Sequence, residues 1–278
     1  MREETIRSRF AVMNNAYAAY SFPYFLDSLD RLGLRKIDLW GGIQHFDPHS
    51  ATPRKLQNLK REIAAREMEI VAYTPELLAY PYNFASPEAR TRRESVRYAR
   101  LNVEIAAALG IGLMLISPGW GLLDIPFSQS WAWARDCISE IAIAAEALGV
   151  RLILEHLTPQ SSNLLTNALA LGRMLTQVNS RALGAVLDLG QMSVFGETVS
   201  DYERICKDRL WHVHIMDGAP EGHLAFGDGA LPVEAYWREL NARGYAGCFT
   251  LEINDGRYRN CPHEALERCV NVLKRWSD

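Results

Sequence analysis

The sequence lacks the features that mark membrane, nucleic-acid-binding and disulfide-bonded proteins. No apolar run reaches the roughly 18–20 residues that a membrane-spanning helix needs. The formal net charge of −3 gives no basic surface for nucleic acid. The five cysteines are scattered, with no C-x-x-C pair, a pattern typical of reduced thiols rather than of a disulfide framework or a thiolate zinc site. We therefore expect neither nucleic acid nor a membrane as a partner.

Two further absences concern location and domain organisation. The first residues include acidic side chains and no apolar segment, so we expect no secretory signal and predict a cytoplasmic location. No linker or low-complexity tract divides the 278 residues, of which 48 % are hydrophobic and 23 % are charged. This composition is close to that of ordinary globular proteins, and we predict a single domain over residues 1–278.

Short apolar runs alternate with longer segments of helical spacing about eight times along the chain. Because each parallel strand needs a crossover before the next, this alternation predicts a parallel sheet flanked by helices. Eight such units over this length fit a single (β/α)8 TIM barrel. An open Rossmann-like sheet is the alternative, but no G-x-G-x-x-G follows the first run. The predicted strands are Phe10–Met13, Lys36–Trp40, Glu69–Tyr73, Gly112–Ser117, Val150–Glu155, Leu183–Asp188, Trp211–Met216 and Cys248–Ile253.

Four consecutive predicted strands have metal-binding side chains at or near their ends. Glu155, Asp188 and Glu252 lie at the ends of the fifth, sixth and eighth strands, and His214 lies near the end of the seventh. A barrel brings the carboxyl ends of its strands to one mouth, where barrel enzymes carry their chemistry. Three carboxylates packed there would repel one another unless a cation neutralised them. This set of oxygen and nitrogen ligands favours one Mn²⁺, Co²⁺ or Mg²⁺ ion, with Fe²⁺ or Zn²⁺ as alternatives.

Each of these positions also has a purely structural interpretation. A single acid at a strand end often caps a helix or forms a surface salt bridge, but four matching positions on successive strands favour a shared site. His212 precedes His214 by two residues and therefore shares its face of the strand. We expect His212 one layer deeper in the barrel, as a hydrogen-bonded residue behind the ligands.

The strand-end residues resemble those of the xylose-isomerase-like barrel family, and more narrowly those of its ketose 3-epimerases. The four ligand positions occur in many epimerases and isomerases of that family, so they indicate chemistry rather than substrate. Tyr-Thr-Pro-Glu, Tyr-Pro-Tyr-Asn and Leu-Thr-Pro are narrower and are similar to the branch that acts on fructoselysine, an amine-substituted ketose. The resemblance runs over nearly the whole chain, through Leu39-Trp40-Gly41-Gly42, Tyr73-Thr74-Pro75-Glu76, Tyr80-Pro81-Tyr82-Asn83, Arg92-Arg93-Glu94-Ser95, Leu152-Ile153-Leu154-Glu155, Leu157-Thr158-Pro159, Ser162-Asn163, His212-Val213-His214-Ile215 and Gly227-Asp228-Gly229.

The resemblance implies an epimerase that inverts C3 of a ketose or an amine-substituted ketose. A metal ion that holds the carbonyl and the adjacent hydroxyl oxygen acidifies the neighbouring C–H bond and stabilises a cis-enediolate. Glu155 and Glu252 would lie on opposite faces of the substrate carbon, where one removes a proton and the other returns one. Both would also bind the metal, while Asp188 and His214 would be ligands only.

The sequence departs from the free-ketohexose enzymes of that family at three positions. Ser161 replaces a second glutamate that follows the strand-five glutamate, a residue that fructoselysine 3-epimerases also carry. Gln191 replaces a histidine after the strand-six aspartate, and Pro220 replaces an arginine after the strand-seven histidine. Gln191 can still form hydrogen bonds, but Ser161 and Pro220 cannot supply a charge. The substrate therefore stays open.

Further candidates surround the predicted mouth, each with a packing alternative. A Gly-Gly loop after the second strand would present His45 to substrate or pack it against the loop, and aromatic residues would form apolar walls or simply pack. The substrate-binding candidates are His45, Glu76, Tyr82, Trp120, Gln191, His223 and Arg257.

Other functions remain open for such a site. An aldose–ketose isomerase, a 2-keto-sugar-acid epimerase or an inosose-type dehydratase would use the same metal and bases. An endonuclease-IV-like phosphodiesterase needs several metals and a basic surface, and a non-enzymatic sugar-binding barrel is a further alternative. The predicted partner is a small-molecule sugar. By analogy, a homo-oligomer is a further expectation, through exposed aromatic residues such as Trp131 and Trp133.

Overall fold

The strands of the protein form a closed parallel barrel in sequential order. The computed structural model describes residues 6–78, 81–219 and 222–276. Each strand pairs in parallel with the next, and the pairing of the first with the eighth closes the barrel. This confirms the predicted (β/α)8 fold. The strands are β1 (Phe10–Met13), β2 (Lys36–Gly41), β3 (Glu69–Pro75), β4 (Leu113–Ile116), β5 (Arg151–Glu155), β6 (Leu183–Asp188), β7 (Leu210–Ile215) and β8 (Phe249–Leu251).

Helices connect successive strands and cover the barrel. Their ends follow local capping chemistry: the Ser21 side chain accepts a hydrogen bond from the Tyr24 amide at the start of the first helix, and Gly33 ends that helix with a φ of 67°. The helices are α1 (Phe22–Leu32), α2 (Pro53–Ala65), α3 (Ala89–Leu109), α4 (Phe127–Ala147), α5 (Ala168–Val178), α6 (Leu189–Val194), α7 (Val199–Cys206), α8 (Val233–Ala242) and α9 (Pro262–Arg275).

The barrel interior is layered, with apolar side chains below and polar ones at the mouth. Leu115, Ile153 and Val186 form a small buried cluster of their own, separate from the main core between strands and helices. Because residues two apart on a strand share a face, Ile153 and Val186 lie one layer below Glu155 and Asp188. The strand pattern thus places the four strand-end side chains at the carboxyl mouth of the barrel.

Two further observations concern the surface. In the described part of the chain, no helix has the length and apolar character needed to cross a membrane. The expectation that Trp131 is exposed is wrong, since it is 3 % exposed and donates a hydrogen bond from Nε1 to Gln177 on α5. The adjacent helix supplies a polar partner for the indole, which sequence periodicity could not reveal. Trp133 is partly exposed and lies beneath the guanidinium of Arg92.

Candidate active site

The four predicted strand-end residues converge at the barrel mouth. Glu155 ends β5, Asp188 ends β6, His214 lies on β7, and Glu252 directly follows β8. One ligand atom from each lies within 4.8 Å of the others. Glu155, Asp188 and His214 are buried, while the Glu252 side chain is 14 % exposed. The structure therefore brings together a compact group of three carboxylates and one imidazole.

The charges of this group perturb one another strongly. His214 Nδ1 lies 2.8 Å from Glu252 Oε2 and 3.4 Å from Glu155 Oε1. Burial disfavours a charged ring, but Glu252, Asp38 and Glu155 outweigh it and hold the pKa of His214 well above its ordinary value. Burial, reinforced by the charges of Glu252 and Asp188, raises the pKa of Glu155. Without a bound cation, His214 and Glu155 therefore hold their protons to a higher pH than isolated side chains do.

Several buried polar atoms of the group lack a hydrogen-bonding partner. Neither ring nitrogen of His214 makes a contact with hydrogen-bond geometry, and Asp188 Oδ2 has none either. Asp188 Oδ1 accepts a hydrogen bond of 2.6 Å from the Gln191 amide at the start of α6. The helix-cap interpretation thus accounts for one oxygen of Asp188 only. Buried polar atoms without partners are costly, and this donor set suits a divalent ion, so the residues present fit one.

A second polar layer lies directly beneath this group, and the sequence interpretation missed its central residue. Asp38, on β2, is fully buried; its Oδ2 lies 3.3 Å from His214 Nε2 and 3.5 Å from His212 Nε2. Burial alone would raise the pKa of Asp38, but the contacts with His212 and His214 lower it. An aspartate within the apolar run Lys36–Trp40 was the available signal, because a buried carboxylate requires partners.

His223 and Gln191 lie beside the group, as predicted substrate-binding residues would. His223 Nε2 is 3.5 Å from Asp188 Oδ2 and 3.9 Å from Glu252 Oε2. Burial opposes a charge on His223, but Glu252 and Asp188 outweigh it and raise its pKa to about 9. Gln191 Oε1 is buried without a hydrogen-bonding partner. Asn15, which the sequence interpretation missed, donates to Glu252 Oε1 at 3.4 Å.

Three other candidates are engaged by the loops around the mouth. His45 uses both ring nitrogens, with Asn14 Nδ2 at 2.9 Å and the Tyr20 carbonyl at 2.9 Å, so its contacts favour loop packing. Glu76 accepts hydrogen bonds from Trp40 Nε1 and from the Leu78 amide. Arg257 donates to Asp255 and is largely exposed.

Trp120 is held at the mouth by asparagine side chains from the two neighbouring loops. Asn83 donates to the Trp120 carbonyl at 2.9 Å and accepts from its amide at 3.1 Å. Asn163 does the same for the next peptide, accepting from the Gly121 amide at 2.8 Å and donating to its carbonyl at 3.0 Å. The loop that carries Trp120 is therefore fixed on both sides.

Tyr82 lies apart from the four strand-end residues. Its ring stacks on Tyr98, its hydroxyl forms a hydrogen bond of 2.8 Å with His49 Nε2, and it lines a cavity of about 820 Å³ along α3.

Of the positions that depart from the ketohexose enzymes, Ser161 is exposed in the loop after β5. Pro220 lies outside the described residues, as does Tyr80 of the Tyr-Pro-Tyr-Asn motif.

Comparison with known proteins assigns the chain to a family. The family model described as Xylose isomerase-like TIM barrel matches residues 26–276. A fructoselysine 3-epimerase of Shigella flexneri is 33 % identical over 248 residues, which cover 87 % of this chain and 90 % of that protein. A solved structure of L-ribulose 3-epimerase superposes with a TM-score of 0.81 at 19 % identity, covering 97 % of this chain and 95 % of the other.

A D-psicose 3-epimerase from Clostridium cellulolyticum H10, solved with D-tagatose, has the same fold. Its TM-score is 0.78 at 16 % identity, with 96 % of this chain and 98 % of the other covered. These relatives are sugar epimerases by name, and the prediction of an enzyme is confirmed. With the family match over residues 26–276, the chain belongs to the xylose isomerase-like TIM barrel family.

Proposed function

We propose that this enzyme is a divalent-metal-dependent epimerase that inverts C3 of a ketose or of an amine-substituted ketose of the fructoselysine type. The observation that carries the proposal is the convergence of Glu155, Asp188, His214 and Glu252 within 4.8 Å, around buried atoms without hydrogen-bonding partners. The relative named fructoselysine 3-epimerase supports the substrate class. A cytoplasmic location and a homo-oligomer stay predictions.

Glu155, Asp188, His214 and Glu252 would hold the metal. When bound, the ion polarises the substrate's carbonyl and adjacent hydroxyl and so lowers the pKa of the C3–H bond. The backbone amide of Gln191 donates to one oxygen of Asp188 and fixes that carboxylate. The His214 ring is held in place by its burial. These two residues orient the site and move no proton.

Glu155 and Glu252 would carry the proton transfer. Glu155 ends β5 and Glu252 directly follows β8. These strands lie on different sides of β6 and β7 in the barrel order, so the two glutamates approach a substrate from different directions. One glutamate removes the C3 proton, and the electron pair of that bond passes into the enediolate. The other glutamate returns a proton to the opposite face of C3.

Residues beside the four proposed metal ligands would position the sugar. Gln191 Oε1 is a buried acceptor that a substrate hydroxyl can satisfy, and His223 offers a ring N–H close to Asp188 and Glu252. Trp120, fixed by Asn83 and Asn163, would supply an apolar wall that excludes water.

The test is solvent proton exchange. Purified enzyme with Mn²⁺ or Co²⁺ is incubated in D₂O with a panel of ketoses that includes fructoselysine, and the products are followed by NMR. We expect metal-dependent deuterium incorporation at C3 that is lost in Glu155→Gln. The matched control is Glu146→Gln, because Glu146 pairs with Arg181 on the surface.

The alternatives predict different products. Exchange at C1 or C2 would identify an aldose–ketose isomerase, and loss of water would identify a dehydratase. Absence of exchange with every sugar, in protein shown to bind the metal, would contradict the proposed epimerase.

A further inference from the structure

A buried carboxylate behind the proposed metal ligands has no role in the chemistry described so far. Asp38 is fully buried in the barrel interior, and its nearest ring nitrogens belong to His212 and His214. We propose that Asp38 is a positioning residue: it holds the proton of His214 on Nε2, and thereby keeps the Nδ1 lone pair available to the metal ion. This inference rests on the proposed function, since it assumes that His214 binds a metal.

The two edges of the His214 ring face different surroundings. Nδ1 points to Glu252 and Glu155, at 2.8 and 3.4 Å, and so into the proposed metal site. Nε2 faces Asp38, whose Oδ2 lies 3.3 Å away, a close contact that lacks full hydrogen-bond geometry. A neutral imidazole has one N–H, and the nitrogen that keeps it cannot bind a metal. An ionised carboxylate only accepts hydrogen bonds, so Asp38 favours the proton on Nε2.

Asp38 is itself fixed by two threonine hydroxyls. Thr74 donates to its Oδ1 at 2.8 Å, and Thr250 donates to its Oδ2 at 3.0 Å. Because these donors come from β3 and β8, on either side of β2 and β1, they restrain the carboxylate from two directions. A carboxylate held in this way can hold an imidazole in one orientation.

Asp38, His212 and His214 also satisfy the distances of a metal site in their own right. Proton accounting argues against that alternative. Thr250 has one hydroxyl proton and gives it to Asp38, so its contact of 2.7 Å with His212 requires His212 Nε2 to be the donor. His212 Nε2 then carries a proton and has no lone pair for a second ion.

Metal binding to stripped protein tests the proposal directly. Mn²⁺ is titrated calorimetrically into wild type, Asp38→Asn, Thr74→Val and the surface control Asp30→Asn, with folding checked by circular dichroism. We expect one ion per wild-type chain and an affinity loss of about 10–100-fold in Asp38→Asn. Thr74→Val, which removes a hydroxyl that holds Asp38, should show a smaller loss, and Asp30→Asn should bind like wild type. Thr74→Val carries the test if Asp38→Asn does not fold.

A spectroscopic measurement reads the tautomer itself. With diamagnetic Mg²⁺ or Zn²⁺ bound, long-range ¹H–¹⁵N NMR should place the His214 proton on Nε2 in wild type. A proton on Nδ1 would overturn the proposal, and so would unchanged affinity in both Asp38→Asn and Thr74→Val. Two ions per wild-type chain, with one lost in Asp38→Asn, would overturn it in favour of a second metal site. A wild-type protein that binds no ion overturns the proposed metal dependence as well, which separates the two failures.

Discussion

Gly119→Ala is the substitution whose cost the structure defines most closely. Gly119 precedes Trp120 and has a φ of 76°, a region that an alanine enters at a cost of roughly 1–2 kcal/mol. A Cβ at this position would lie 2.5 Å from Asn83 Oδ1 and 2.9 Å from the Phe84 amide nitrogen. Backbone cannot move as a flexible side chain can, so the chain must shift around residue 119.

The shift would disturb the hydrogen bonds that the Asn83 side chain makes with the Ala85 backbone amide and with the backbone amide and carbonyl of Trp120. Each such bond contributes about 0.5–1.5 kcal/mol. We therefore expect Gly119→Ala to lose about 1–3 kcal/mol beyond the backbone term, if two of these bonds are broken. In a protein of this size, each kcal/mol corresponds to a fall of roughly 2–4 °C in Tm.

Gly196→Ala is the matched control. Gly196 has a φ of 64°, but a Cβ there would meet nothing within 4 Å, so only the backbone term applies. Urea denaturation gives the free energy of unfolding of both variants and of wild type. Equal losses in the two variants would refute the reasoning, because the contact with Asn83 and Phe84 would then cost nothing.

Three further predictions follow from the site. Mn²⁺ should raise the free energy of unfolding of wild type by about 2.7 kcal/mol at a hundred times its Kd, and His214→Ala should abolish the rise in thermal denaturation scans. In metal-stripped protein, the pKa of His223 is about 9 in the folded state and about 6.5 in the unfolded state. The charged ring therefore adds its full contribution to the free energy of unfolding below about pH 6.5, and this contribution is lost as the pH rises through 9. His223→Gln should therefore flatten the fall in stability between those pH values, and an unchanged slope would contradict the assignment. Asn163→Ala removes both hydrogen bonds to Gly121, the residue next to Trp120, and in steady-state assays it should raise KM more than it lowers kcat. An effect on kcat alone would contradict a role of Trp120 in substrate binding.

The barrel and its strand ends could be predicted because both follow from local patterns. Apolar runs alternate with helical segments, and β1 and β6 begin and end where the sequence predicts. Glu155, Asp188 and Glu252 interrupt or close apolar runs, so each one stands out without any knowledge of the others. That a single domain spans residues 1–278 stays a prediction.

The layer behind the proposed metal ligands could not be predicted in the same way. Asp38 finds its partners on β3, β7 and β8, and Asn15 contacts Glu252 across the junction of β1 and β8. These pairings join residues more than 30 positions apart, and no local pattern encodes them. His45 and Trp131 illustrate the same limit, because the groups that engage them belong to other segments of the chain.

The asparagines on either side of Trp120 have a consequence for changing the substrate preference of this enzyme. Five side-chain-to-backbone hydrogen bonds join residues 119–121 to the loops after β3 and β5, through Asn83, Ser162 and Asn163. A graft of the loop after β4 from another barrel would keep these bonds only if its backbone matched at all three residues. The unit to exchange is therefore the set of three consecutive loops, transplanted together with both asparagines.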